Sequence, residues 1–395
     1  MTQGLRRVKC LLFLQLAFFP LHAQYTPLAD SLQRLTGFAP AAGNTIRVTK
    51  SGQEFMNMLL EDVRAARESV EIEYYWFDND EAGQMLRSAL MDKAREGIQV
   101  RVIMDNLIDP TAPEAFYDKL RSTGADVRYY RDLSKLPFYT IPATVMGQRD
   151  HKKIVVIDNT IGYTGGMNFC DNAAFNWEDT QLRIVGPAAA ELRKLFLRTW
   201  TRLGGTAPDM APAPADGSVV AQVIYGDGSP ILEQIYLQTI RQAKRYFYIQ
   251  TPYMVPPQSI IDELIAAAGR GVDVRILLPT KCDWPFMNEI TRDYYIPFKQ
   301  AGIRIYEYGT IYDHSKVFVL DDEVSSCGTV NLDNRSFFIN CENALVFHDK
   351  GTAVYFRDVL EGQMAAAREV QPGEGKAKGL RRLYRSFLKA FSYLL

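Results

Sequence analysis

The sequence predicts an α/β protein built as two tandem copies of one strand–helix–strand plan. Three observations carry that expectation: a duplicated pattern of β-branched strands around an amphipathic helix, a duplicated His-x-Lys-x4-Asp segment, and a Pro-, Ala- and Gly-rich stretch between the copies. A length of 395 residues suits two domains of ordinary size. With 47% apolar and 23% charged residues, a packed core is expected and wholesale disorder is excluded.

The first element is a signal-like segment over residues 1–23. Arg6, Arg7 and Lys9 precede a mostly apolar run from Cys10 to Leu21, and Ala23 supplies a small residue for cleavage. A retained anchor is the alternative. A span needs ~20 apolar residues, and this run is shorter and interrupted by Gln15 and Pro20. No later stretch is long enough to cross a bilayer.

The first copy occupies residues 24–203. VEIEYYWF (70–77) reads as a buried strand, AGQMLRSALMDKAREG as a helix and IQVRVIMD (98–105) as a second strand. The linker is GGTAPDMAPAPADGS, residues 204–218. In the second copy, residues 219–372, the matching pieces are RYFYIQTPYMV (245–255), IIDELIAAAGRG and VDVRILLP (272–279). Gly97 and Gly271 end the two helices. The alternation argues for α/β layers around a mixed or parallel sheet.

Residues 373–395 form a basic amphipathic helix. At 100° per residue, Leu380, Leu383, Tyr384, Phe387, Leu388, Phe391, Leu394 and Leu395 share one side, opposite Arg381, Arg382, Arg385 and Lys389. Such a helix fits an anionic membrane surface; packing on its own domain with the basic face solvated is the alternative. The last twenty residues carry six Lys/Arg and the first twenty-three carry three, with no acid in either. Setting those nine charges aside leaves a net charge of −10 on residues 24–375. A body so acidic is a poor nucleic-acid binder, so no nucleic-acid partner is expected. Cys170, Cys282, Cys327 and Cys341 lack metal-ligand spacing. They read as buried thiols, or at most one disulfide.

The chemistry lies late in each copy, in HKKIVVID (151–158) and HSKVFVLD (314–321). Counted from each His, Lys stands at +2 (Lys153, Lys316), Asp at +7 (Asp158, Asp321) and Gly at +14 (Gly165, Gly328). Asn follows at +17 (Asn168, Asn331) and a carboxylate at +28 (Asp179, Glu342). Two of the three histidines beyond the signal-like segment fit this pattern; His348 does not and reads as an ordinary buried or surface residue. In a strand, residues two apart face the same way, so an imidazole and an ammonium from each copy can converge on one centre. A phosphodiester suits two imidazoles and two ammonium groups, since its cleavage needs charge neutralisation, a nucleophile and a proton donor. On this reading Lys153, Lys316, Asn168 and Asn331 hold the non-bridging oxygens. Asp179 and Glu342 accept a hydrogen bond from the far nitrogen of each His, fixing the tautomer and favouring the imidazolium. Asp158 and Asp321 complete the catalytic motif and brace the Lys or the local backbone. No metal and no cofactor is called for.

These motifs resemble the phospholipase D superfamily, including the Gly-x-x-Asn stretches at 165–168 and 328–331, although Gly166 and Thr329 stand where that family usually has Ser. EYYWFDND (73–80), KAREGIQVRVIMD (93–105), RDHKKIVVID (149–158), YIQTPYMVP (248–256) and GTVNLDNRSFFINCE (328–342) are similar to the bacterial cardiolipin synthases, over roughly residues 43–395. The resemblance implies two phospholipase D-like α/β/α sandwich domains with pseudo-two-fold symmetry and a shared active site. It implies a phosphatidyltransferase that joins two phosphatidylglycerol molecules through a phosphatidyl-histidine, with His151 as nucleophile and His314 as acid, then base. The signal-like segment, cleaved or retained as an anchor, stands where that family usually begins with two transmembrane helices, and with it the protein is expected to be exported and bound peripherally to the outer face of the bacterial cytoplasmic membrane. Tyr74, Tyr75, Trp76 and Tyr253 read as core or as the border of an acyl-chain entry. A hydrolase releasing phosphatidic acid, an exported nuclease and a non-catalytic lipid-binding protein are the rivals. Oligomeric state is not legible.

Overall fold

A computed structural model describes residues 26–105, 114–131, 147–309 and 311–390. The signal-like segment and the last five residues lie outside them. The first lobe opens with α1 (Pro27–Thr36), β1 (Ala41–Ser51), α2 (Gly52–Ala65), β2 (Ser69–Tyr74), α3 (Glu81–Arg95) and β3 (Gln99–Met104). It continues with α4 (Glu114–Arg121), β4 (Asp126–Tyr129), β5 (Lys153–Ile157), β6 (Ile161–Gly165), β7 (Glu178–Val185) and α5 (Pro187–Arg202). Residues 204–218 hold no helix or strand.

The second lobe follows the same plan, with β8 (Val219–Asp227), α6 (Ile231–Gln242), β9 (Tyr246–Gln250), β10 (Met254–Val255), α7 (Gln258–Gly269) and β11 (Asp273–Pro279). Next come α8 (Pro285–Thr291), α9 (Tyr295–Gln300), β12 (Arg304–Tyr308), β13 (Val317–Leu320), β14 (Val324–Gly328), β15 (Leu332–Asp333) and α10 (Asn334–Phe338). The lobe closes with β16 (Cys341–Phe347), α11 (Lys350–Ala366) and β17 (Arg368–Glu369), and α12 (Gly379–Ala390) follows.

Fifteen strands form one sheet in the order β17-β12-β11-β9-β13-β14-β16-β8-β1-β7-β6-β5-β2-β3-β4. The order reads outward identically from the middle: β1, β7, β6, β5, β2, β3, β4 in one lobe match β8, β16, β14, β13, β9, β11, β12 in the other. The lobes join where β1 runs antiparallel to β8, pairing Ala41 with Ala221 and Asn44 with Val219. This gives the pseudo-two-fold relation and puts matching strand ends of both lobes at one seam.

The strands are apolar on both sides because both faces are covered. Alternate residues divide between cores: Val155 and Ile157 pack with α2, α3 and α4, while Ile154 and Val156 pack with α5. In the second lobe Phe318 and Leu320 pack with α6 and α7, and Val317 and Val319 with α11. The layers are therefore helix, sheet, helix. Gly97 and Gly271, with φ of 85° and 89°, supply the left-handed residue just past α3 and α7.

One expectation changes. RYFYIQTPYMV is not one strand, because Pro252 removes a backbone donor and the chain re-forms as β10 after a break. That break carries Tyr253 to the seam. The four cysteines are all free thiols. No helix among the described residues is long and apolar enough to cross a membrane.

Candidate active site

Each motif histidine stands just ahead of its strand, where its lobe meets the other. The His151 N–H donates to the Cys341 carbonyl at 2.8 Å, and the His314 N–H donates to the Glu178 carbonyl at 2.8 Å. Cys341 and Glu178 begin β16 and β7, so each histidine is pinned to the opposite lobe. The next residue of each of those strands is a carboxylate. His151 Nδ1 lies 2.8 Å from Glu342 Oε2, and His314 Nδ1 lies 2.8 Å from Asp179 Oδ2. The +28 spacing left the pairing open, and the fold crosses it: each lobe's carboxylate orients the other lobe's imidazole. With Nδ1 engaged, Nε2 is the atom left on each ring for chemistry.

The lysines converge with them. Lys316 Nζ is 2.8 Å from His314 Nδ1, and Lys153 Nζ donates to the His151 carbonyl at 3.2 Å. Both ammonium groups are buried. Burial, then the neighbouring Lys316, pulls Lys153 down to about 7. Lys316 is also lowered, chiefly by burial. Burial pushes Asp179 and Glu342 up to about 7.

Both imidazoles are held well below their ordinary value, first by burial. Lys153 and Lys316 add to this at His151, and Lys316 does so at His314, where Asp283 opposes it. This overturns the expectation that the carboxylates favour the imidazolium. Desolvation and the nearby ammonium groups outweigh one carboxylate each, so the surroundings favour the neutral rings.

The carboxylates are braced unequally. Glu342 Oε1 accepts from Ser336 at 2.8 Å and from Asn340 at 3.3 Å, and Oε2 also takes the Thr329 hydroxyl. Asp179 Oδ1 is buried with no hydrogen-bond partner among the described residues. Gly166 occupies the position matching Thr329, and a Cβ there would stand 2.5 Å from both Asp179 oxygens. Real Cβ atoms do not approach so closely, so the missing hydroxyl makes room for the carboxylate.

Asp158 and Asp321 do not belong to the site. Their φ angles of 50° and 55° place them in hairpin turns. The Asp158 carboxylate accepts from the backbone N–H groups of Arg67, Glu68 and Ser69 at 2.8–2.9 Å. Asp321 does the same for Lys244, Arg245 and Tyr246 at 2.7–2.9 Å. The motif's third residue is a backbone clamp on β2 and β9, which corrects its place among the catalytic groups.

The Oδ1 atoms of Asn168 and Asn331 are buried without a partner among the described residues. His348 lies apart, 2.8 Å from Gln222 Oε1 and 3.3 Å from Thr26 Oγ1. Tyr74 is core, stacked on Phe169 at 3.8 Å between centroids. Tyr75 instead leaves the strand and meets His151 edge-on at 4.8 Å, with Lys153 5.3 Å from its ring. Around His314 stand Trp177, Tyr253 and Tyr312, at 5.9, 6.2 and 5.5 Å.

Sequence reasoning passed over the Asp immediately before each His. Asp150 is buried and 3.3 Å from Lys152 Nζ, and Asp313 is buried and 2.6 Å from Lys50 Nζ. Their identical place in both copies was the available signal. Among the described residues no group of three or more His, Cys, Asp or Glu is arranged to hold a metal ion.

The family described as "Cardiolipin synthase, PLD-like domain" matches residues 59–200 and 236–364. The chain is 33% identical over 358 residues to "Cardiolipin synthase" of Geobacillus kaustophilus, covering 87% of this chain and 70% of that one. It is 33% identical over 368 residues to the Staphylococcus aureus protein of the same name, covering 89% and 73%. Among solved structures, the phosphatidylserine synthase of Haemophilus influenzae shares the fold, with a TM-score of 0.65 at 15% identity over 93% of this chain and 100% of that one. The chain belongs to the cardiolipin synthase family of phospholipase D-like proteins.

Proposed function

We propose that this family member is a phosphatidyltransferase making cardiolipin and glycerol from two phosphatidylglycerol molecules. The single observation that carries the reading is the crossed pair of imidazole–carboxylate contacts closing around two buried lysines. A phosphodiester anion supplies the negative charge that Lys153 and Lys316 lack, and its arrival favours their protonated forms.

In the first step the Nε2 lone pair of His151 attacks phosphorus. The bond from phosphorus to the glycerol oxygen breaks, and His314, protonated once the phosphate anion is bound, gives its Nε2 proton to that oxygen. In the second step the terminal hydroxyl of another phosphatidylglycerol loses its proton to His314 Nε2. Its oxygen bonds to phosphorus as the phosphorus–nitrogen bond breaks. Lys153, Lys316 and the side-chain amides of Asn168 and Asn331 would carry the charge on the non-bridging oxygens. The assignment of His151 as nucleophile is supported by its carboxylate, which three donors besides the ring hold in place, whereas Asp179 keeps an unpartnered oxygen.

The lipid substrate makes peripheral attachment to an anionic membrane surface part of the proposal, with the protein exported to the outer face of the cytoplasmic membrane. The test is product analysis with labelled phosphatidylglycerol. Cardiolipin and free glycerol are expected. Phosphatidic acid alone would make the chain a hydrolase, and cleavage of DNA without turnover of lipid would make it a nuclease.

A further inference from the structure

The helix α12 is mounted the opposite way from an ordinary amphipathic surface helix. Its charged side faces the protein: Arg385 is only 3% exposed, and it reaches Glu289 Oε2 and Asp293 Oδ1, each at 3.1 Å. Arg381 also donates to Glu289 Oε2, at 2.8 Å, and Lys389 Nζ stands 5.7 Å from the Tyr294 ring. Apart from Leu388, which packs against the second lobe's core, its apolar side faces outward. Leu380, Leu383, Tyr384 and Phe387 are 84%, 67%, 47% and 61% exposed. Their i, i+3, i+4, i+7 spacing makes them one continuous row.

A soluble helix would normally bury that row and solvate its arginines. Here ion pairs to Glu289 and Asp293 hold the row away from the core. Among the described residues the other large exposed apolar side chains are Trp284, Ile311, Phe175 and Tyr355, and the first three adjoin residues around His314. Trp284, 57% exposed, stands directly before α8, the helix that α12 rests on. It follows Asp283, whose carboxylate accepts the Tyr253 hydroxyl next to His314. Ile311 precedes Tyr312, and Phe175 lies two residues before Trp177, both of whose rings flank His314.

We propose that α12 and the Trp284, Ile311 and Phe175 rim form one lipid-facing surface that seats the seam on a bilayer. The occupant is a membrane carrying anionic headgroups. The apolar row enters the acyl boundary, and Lys376 and Lys378, which make no ion pair among the described residues, meet the phosphates. A second copy of the chain is a poorer match, because one row of four side chains falls short of the roughly 800 Å2 per partner that stable interfaces bury. The inference rests on the lipid-substrate reading above and adds which face meets the lipid.

The test uses the full chain and vesicles of phosphatidylserine and phosphatidylcholine, which separate docking from turnover. The triple variant L380Q/L383Q/F387Q should lose more than tenfold in vesicle binding. Its melting temperature and its rate on detergent-dispersed phosphatidylglycerol should stay those of the parent. Trp284→Gln should weaken vesicle binding independently. Unchanged binding of the triple variant would overturn the surface, and so would a parent dimer that the variant turns into monomers. If the parent binds vesicles but makes no cardiolipin in detergent, the catalytic reading falls while the surface stands.

Discussion

Replacing Glu342 with Gln tests the crossed geometry through one proton. In the native site the oxygen at Oε1 is fixed by donors from Ser336 at 2.8 Å and Asn340 at 3.3 Å. A Gln side chain keeps its carbonyl oxygen there, so its amide nitrogen takes the Oε2 position, 2.8 Å from His151 Nδ1. That nitrogen donates, so Nδ1 must accept and the ring proton moves to Nε2. The attacking atom is then capped by its own hydrogen. A wrong-tautomer imidazole of this kind costs on the order of 10^3–10^4 in rate, about 4–5.5 kcal/mol of barrier.

Asp179→Asn should cost far less, roughly ten- to a hundredfold by the same tautomer argument. The Oδ1 side of Asp179 has no donor holding it, so the Asn amide can turn its oxygen to Nδ1. The assay compares phosphatidylglycerol with a nitrophenyl phosphodiester, whose leaving group departs without a proton. Glu342→Gln should be inactive on both. Asp179→Asn should recover on the nitrophenyl ester, because only the acid's role is impaired. The opposite pattern would reverse the two histidines. A Glu342→Gln enzyme within tenfold of the parent on both substrates would refute the tautomer argument itself.

Further outcomes follow from the same contacts. The pH profile of kcat/KM should be a bell centred near neutrality. Asp179 and Glu342, raised to about 7, lose their charge on the acid side, while Lys153, lowered to about 7, loses its proton on the alkaline side. Lys153→Arg should remove the alkaline limb whatever its effect on the maximum, since a guanidinium stays charged. Asp158→Ala and Asp321→Ala should each lower unfolding free energy by on the order of 2 kcal/mol, by stripping a carboxylate from three backbone donors. Folded enzyme should keep kcat within a few-fold, and a thousandfold loss would return those residues to the chemistry. His348→Ala should cost stability through its lost Gln222 contact and leave turnover intact, as steady-state kinetics beside thermal melts would show.

What was legible in the sequence is what local chemistry dictates. Apolar runs around Ile154 and Phe318 had to be strands, and glycines such as Gly97 and Gly271 had to end helices, whatever else the chain did. The paired His and Lys followed from spacing alone, because side chains two apart in a strand share a face. Three features were out of reach for one reason: each depends on a contact between residues far apart in sequence. Glu342 reaches His151 across 191 positions, and Asp179 reaches His314 across 135. Arg381 turns α12 around by pairing with Glu289, 92 positions away. A helical wheel identifies the two sides of that helix but not which side the body claims. The motif Asp misleads in the opposite direction: its constant place beside His and Lys suggests chemistry, while its left-handed turn and three backbone donors assign it to folding.

The crossing also explains why the duplication exists as one chain. Either lobe alone has an imidazole and an ammonium but no carboxylate on its own imidazole, since that group arrives on β7 or β16 of the other lobe. An isolated lobe would hold a histidine with an unfixed tautomer and a carboxylate with no ring to orient. The antiparallel join of β1 to β8 is therefore a catalytic element, although none of its residues touches the reacting atoms. Weakening that seam should lower turnover in proportion to lobe separation even where each lobe stays folded. Activity retained by one lobe expressed alone would contradict the crossed arrangement at its root.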